Sequence, residues 1–172
     1  PPLRSRGSTG LPTAAAPISI QLRSTGSRFI MQIFVTGLNH NTAPIAVRER
    51  ASFTREQLPE ALSLLKEKFD EGVILSTCNR TEIYTLTDSP GRASDHILRL
   101  ISDFHGLDAN IFDGHSYSLE GANAARNLFR VSSGLDSMIL GESQILGQVR
   151  TALSAAAYAR TVHSVMLQLF HT

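Results

Sequence analysis

The chain has 172 residues, with 16 Lys and Arg against 15 Asp and Glu and a formal net charge of +1. Hydrophobic residues at 42% and charged residues at 18% describe a globular chain and exclude disordered, fibrous and collagen-like classes. The single cysteine excludes an intramolecular disulfide framework and any multi-cysteine zinc or iron–sulfur site, and favours a reducing compartment. No apolar run approaches the roughly 18 residues needed to span a bilayer.

Charge is unevenly spread. Residues 1–30 hold four arginines (Arg4, Arg6, Arg23, Arg28) and no acid, which leaves 12 bases against 15 acids in the remainder. This stretch is rich in Ser, Thr, Gly and Pro and has neither helical nor strand periodicity. It reads as a disordered leader or non-native upstream sequence, with an organelle transit peptide as the second reading. The folded part is expected from Met31. Residues 32–37 form an apolar strand, and Gly37-Leu-Asn-His-Asn-Thr-Ala-Pro44 has loop chemistry. Thr54 with Gln57 makes a capping box and Phe53 with Leu58 a staple, so a helix starts there, although Pro59 favours a first turn nearer Leu58. Leu58, Leu62, Leu65 and Phe69 then share one face, up to the break at Glu71-Gly72.

Residues 73–75 and 81–87 read as two strands joined by a tight Ser-Thr-Cys-Asn-Arg connection, and residues 88–92 as a loop. Ile97, Leu100, Ile101 and Phe104 mark a helix stopped by Gly106. Residues 111–119 read as irregular or a short strand. Residues 121–131 are expected as a helix with Ala122, Ala125 and Phe129 on its apolar face. A loop with Gly134 and Gly141 precedes a long helix over 142–160 that continues toward the C-terminus. Strands alternating with helices imply an α/β domain with a helical C-terminal part. The expected organisation is a leader at 1–30, a catalytic domain at 31–141 and a helical segment at 142–172.

Chemistry centres on Cys78. It lies between two strands among Ser76, Thr77 and Asn79, with Arg80 two residues on. A guanidinium nearby lowers a thiol pKa, and surrounding hydroxyl and amide donors can hold a developing oxyanion. A buried, space-filling cysteine is the competing reading. The six histidines (40, 96, 105, 115, 163 and 171) lack metal-ligand spacing; His40 alone sits among turn residues suited to a site. The three glycines of residues 134–147 do not follow the dinucleotide fingerprint. Glu142, Gln144 and Gln148 can present a carboxylate and two amides to an amine-bearing ligand, or form a solvated face.

Four blocks together resemble glutamyl-tRNA reductase: Gly37-Leu-Asn-His-Asn-Thr-Ala-Pro44; Arg48-Glu49; Leu75-Ser-Thr-Cys-Asn-Arg-Thr-Glu-Ile-Tyr84; and Ser133-Gly-Leu-Asp-Ser-Met-Ile-Leu-Gly-Glu-Ser-Gln-Ile-Leu-Gly-Gln148. The match runs from Met31 onward in the family's order and spacing. It implies the N-terminal catalytic domain of an enzyme that continues into an NADPH-binding domain and a helical dimerisation domain, so that this chain is a fragment. The fold expectation is α/β of the α+β kind, a ferredoxin-like sheet covered by helices, with a long C-terminal helix. The resemblance implies that Cys78 attacks the ester joining glutamate to tRNA, and that hydride from NADPH reduces the thioester to glutamate-1-semialdehyde, toward 5-aminolevulinate and porphyrins. By motif, Cys78 is the nucleophile. Thr77, Asn79, Arg80, Ser137, Glu142, Ser143, Gln144 and Gln148 surround the glutamyl group, with Arg80 gripping a carboxylate and Glu142 pairing with the ammonium. Asn127 departs from the pattern: the family carries His there, and Asn cannot move a proton.

Implied partners are glutamyl-tRNA(Glu), a second copy in a full-length homodimer, and glutamate-1-semialdehyde aminomutase, with no membrane. The alternative class is a non-catalytic paralogue that binds glutamyl-tRNA or a partner protein. The loop spellings favour a cytoplasmic location, with the plastid as the minority alternative. The excess of acids over residues 31–172 disfavours this piece as a general tRNA binder.

Overall fold

The computed structural model describes residues 19–21, 30–137 and 144–171. Five strands, β1 (Ser19–Gln21), β2 (Ile30–Asn39), β3 (Gly72–Ser76), β4 (Arg80–Thr87) and β5 (Tyr117–Glu120), form one antiparallel sheet. Along one edge of β2, β1 pairs with residues 30–32 and β5 with residues 34–37. The other edge belongs to β4, from Gln32 opposite Thr87 to Asn39 opposite Arg80, and β3 pairs beyond it. The helices are α1 (Ile45–Arg50), α2 (Leu58–Lys66), α3 (Pro90–His105), α4 (Ala122–Ser132), α5 (Gln144–Tyr158) and α6 (Ser164–His171). With α2 between β2 and β3, and α3 between β4 and β5, the strand order β5-β2-β4-β3 is the expected ferredoxin-like arrangement. Ser19–Gln21, read from sequence as part of an unstructured leader, pairs with β2.

Both faces of the sheet are covered. Gly72 stands opposite Thr85, and a Cβ on Gly72 would lie 2.4 Å from Leu65 Cδ2, so α2 covers the Thr85 face. Neighbouring Tyr84 points the other way, where its ring meets Phe170 of α6 and its hydroxyl accepts from Asn127 of α4. Coverage on both sides buries every residue of β4, including three threonines (Thr81, Thr85, Thr87) and two charged residues (Arg80, Glu82). The edge of β3 is closed by the turn after α5. Gly72 N–H donates to Thr161 O at 2.6 Å, and Thr161 Oγ1 donates back to Gly72 O at 2.9 Å, which pairs the first residue of that edge. Beside it, Glu71 Oε2 accepts from His163 N and Met166 N, both at 2.9 Å, and caps the start of α6.

Several elements differ from the sequence reading. The Thr54–Gln57 box is half formed: Gln57 Oε1 accepts from Thr54 N at 2.8 Å, but the helix proper begins at Leu58, where Pro59 fits the first turn. Helix α3 begins at Pro90, within the segment read as loop, because Pro suits the first helical turn as well as a bend. Phe129 is 42% exposed, and α4 instead buries Ala124, Ala125, Leu128 and Val131. The long C-terminal helix is two helices, broken at Arg160, which has φ 55°. No helix among the described residues is long and apolar enough to cross a membrane.

Candidate functional site around Cys78

The β3–β4 hairpin delivers Cys78 to the surface. Thr77 N donates to Arg80 O at 2.8 Å, and Thr77 Oγ1 accepts from the backbone N–H groups of Asn79 and Arg80, each at 3.2 Å. This hydroxyl therefore builds the turn, replacing strand partners the two amides would otherwise lack. Outside the hairpin, Ser76 Oγ accepts from Phe53 N at 2.8 Å. Arg48 of α1 reaches across: its Nη1 donates to Cys78 O at 2.8 Å and to Asn79 Oδ1 at 3.1 Å. Held from two sides, Cys78 is exposed, which removes the space-filling reading. A cleft of about 260 Å³ opens beside the thiol, lined by Arg48, Glu49, Ser52, Phe53, Ser76, Thr77 and Cys78.

Arg80 turns inward. It is 1% exposed, and its Nη1 meets Glu82 Oε1 at 2.8 Å in a fully buried ion pair. Its Nη2 donates to Asp136 O and lies 3.1 Å from Asp136 Oδ2, so it fastens the loop after α4 to the hairpin. Glu82 also accepts from the Tyr117 hydroxyl of β5 and from the Tyr84 hydroxyl at 2.6 Å. Asn39 Nδ2 donates to Tyr117 Oη at 3.4 Å, and Asn127 Nδ2 to Tyr84 Oη at 2.9 Å. Gly37 makes room for this centre, since a Cβ there would lie 2.9 Å from Glu82 Cγ and 2.4 Å from Thr81 O. Burial works against the Arg80 charge, but Glu82 outweighs it and the pKa is raised. Burial, reinforced by Glu82, pushes the phenols of Tyr84 and Tyr117 well above their ordinary value.

The residues singled out from sequence thus meet different fates. Cys78, Thr77, Asn79 and Arg80 lie in one turn, and Asp136, the residue before Ser137, bonds to Arg80. Both terminal nitrogens of Arg80 are occupied here, and no open fork faces a ligand. Glu142 and Ser143 lie outside the described residues. Gln144 and Gln148 are exposed on α5. Asn127 joins the buried network through Tyr84. His40 Nδ1 is buried without a partner among the described residues. Sequence reasoning missed Glu82, Tyr84, Tyr117 and Asp136. The signal for two of them was present: Arg80, Glu82 and Tyr84 alternate along one strand and so share a face.

A family model described as glutamyl-tRNAGlu reductase, N-terminal domain, matches residues 36–172. The chain belongs to this family. Among solved structures, glutamyl-tRNA reductase from Methanopyrus kandleri is similar, with 31% identity and a TM-score of 0.64 over 81% of this chain. The chain spans 31% of the length of that protein. The glutamyl-tRNA reductase N-terminal domain is thus a ferredoxin-like sheet with Cys78 presented on the β3–β4 turn.

Proposed function

We propose that this chain is the acyl-accepting domain of a glutamyl-tRNA reductase, the enzyme that opens tetrapyrrole synthesis by reducing glutamyl-tRNA(Glu) to glutamate-1-semialdehyde. The observation that carries this reading is the exposed Cys78 thiol, held on a hairpin turn by Thr77 and Arg48. In the reaction the Cys78 thiolate attacks the ester carbonyl carbon of glutamyl-tRNA. The S–C bond forms, the C–O bond to the terminal ribose breaks, and the ribose oxygen takes a proton as it leaves. The product is a glutamyl thioester on Cys78. The turn's contribution is orientation: a nucleophile fixed at both neighbours pays its ordering cost before the substrate arrives.

NADPH supplies the hydride that releases the aldehyde in the complete enzyme. The described residues do not fit that cofactor, because the sheet is antiparallel throughout and has no Gly-rich βαβ unit for a pyrophosphate. In this reading the chemistry of the described residues ends at the thioester. For the full-length protein the reading includes a homodimer, and an aminomutase that takes up the aldehyde.

The test is intact-mass spectrometry after mixing the chain with glutamyl-tRNA. A glutamyl adduct is expected on the native chain and none on Cys78→Ser, with no NADPH oxidation by either. Asn127→His places a titratable ring where the family carries one, and faster acylation is expected. A native chain and an Asn127→His chain that both fold but form no adduct would favour the second reading, a binding-only paralogue, which the Asn127 departure motivates.

A further inference from the structure

The cleft on the α1 side of Cys78 contains an unbalanced buried charge. Arg48 is 9% exposed, and the acceptors of its Nη1, Cys78 O and Asn79 Oδ1, are both neutral. Its Nε is buried without a partner, and no ion pair of Arg48 exists among the described residues. Glu49, on the same cleft wall, is exposed and does not pair with it. Removing a guanidinium from water without a counter-ion is costly, and a ligand that supplies the missing negative charge recovers that cost. Arg80, the other arginine at this turn, already holds Glu82 and Asp136.

We infer that this cleft is the seat of the phosphodiester next to the terminal ribose of the acylated tRNA, with Arg48 as its anion-holding residue. The inference rests on the proposed acyl transfer. An ester carbonyl attacked by Cys78 carries two diverging substituents, the glutamyl group and the ribose oxygen. Of the residues that by motif face the glutamyl group, Ser137, Gln144 and Gln148 line no part of this cleft, and Thr77 stands at its border with the turn. The ribose and its phosphate therefore take the side of Arg48 and Ser52. A planar guanidinium suits phosphate oxygens.

Alkylation of Cys78 in the intact chain reads this out without acylation. The dinucleotide CpA carries one phosphodiester beside its terminal adenosine. It is expected to protect Cys78 from iodoacetamide at about tenfold lower concentration than adenosine does, and Arg48→Gln is expected to erase that difference. Because Arg48 also holds the turn, a second measurement is taken within each variant, where altered thiol exposure cancels. The rate ratio of anionic iodoacetate to neutral iodoacetamide is expected to exceed that of a free cysteine peptide in the native chain. It is expected to fall to the peptide value in Arg48→Gln and to persist in part in Arg48→Lys. CpA protection and an iodoacetate ratio that both survive Arg48→Gln would overturn the assignment. So would glutamate, rather than CpA, being the compound whose protection depends on Arg48. Failure of glutamyl-tRNA to acylate Cys78, with Arg48-dependent CpA protection intact, strikes the proposed function and leaves the phosphate seat standing.

Discussion

Two arginines flank the Cys78 turn and have opposite environments. Arg80 is buried with two acidic partners, while Arg48 is nearly as buried and, among the described residues, meets only neutral oxygens. The difference is one of charge balance: Arg80 is neutralised by its own fold, and Arg48 is the one proposed to take an anion from outside. Arg80, Glu82, Tyr84 and Tyr117 satisfy one another, so their network ties β2, β4, β5, α4 and the Asp136 loop into one unit beneath the turn. Arg48 holds the turn through a single nitrogen and keeps an unmet electrostatic demand beside the thiol. Charge balance, rather than proximity to Cys78 in the chain, distinguishes the two.

The largest test of this comparison is stability. Arg80→Met strands Glu82 in the interior and is expected to cost about 3–5 kcal/mol, whereas Arg48→Met leaves no buried carboxylate and is expected to cost about 1–3 kcal/mol. Urea titration measures both, and equal losses would break the distinction. A second buried carboxylate sharpens it: Glu71 balances its charge against two backbone N–H groups at the start of α6 instead of a guanidinium. Glu71→Ala is expected to cost about 1–2 kcal/mol, with faster hydrogen exchange confined to α6.

Tyr84→Phe removes the donor to Glu82 and the acceptor of Asn127, at about 1 kcal/mol per hydrogen bond. The same phenol carries a pH signature. Its folded pKa is raised above the unfolded value of about 10, so the stabilisation it gives is complete below pH ~10 and declines as pH rises further. The fall in Tm between pH 9 and 11 is expected to be shallower in Tyr84→Phe. The smallest effect belongs to His105, away from the network and packed on the rings of Phe53 and Phe104. Burial lowers its pKa, so the unfolded chain binds the proton more readily and stability declines as pH falls below about 6.5. His105→Gln is expected to flatten that slope in Tm measurements at pH 5.5 and 7.5.

Legibility from sequence followed the range of the interactions. The β3–β4 turn was readable because Thr77, Asn79 and Arg80 organise it within four residues. Helix α3 was readable in its body from Ile97, Ile101 and Phe104, and at its end from Gly106, which adopts φ 61°. Its start was hidden because Pro90 serves a bend and a first helical turn equally well. The face of α4 was misread because Phe129 and Leu128 are neighbours in a short helix, and only packing on the sheet selects which is buried. Helix α1 was missed altogether, since six residues offer too little periodicity to stand out.

The amino-acid sequence by itself determined the alternation of strands and helices, the tight turn bearing Cys78 and the family to which the chain belongs. These depend on local propensity and on motifs whose residues lie close together. Tertiary structure alone decided which arginine meets acidic partners and which, among the described residues, meets neutral oxygens. Arg80 meets Asp136 across 56 residues and Arg48 meets Cys78 across 30. Such pairings are set by how the sheet and its two helical layers close, because a charged side chain's energy depends on the burial and partners that closure creates.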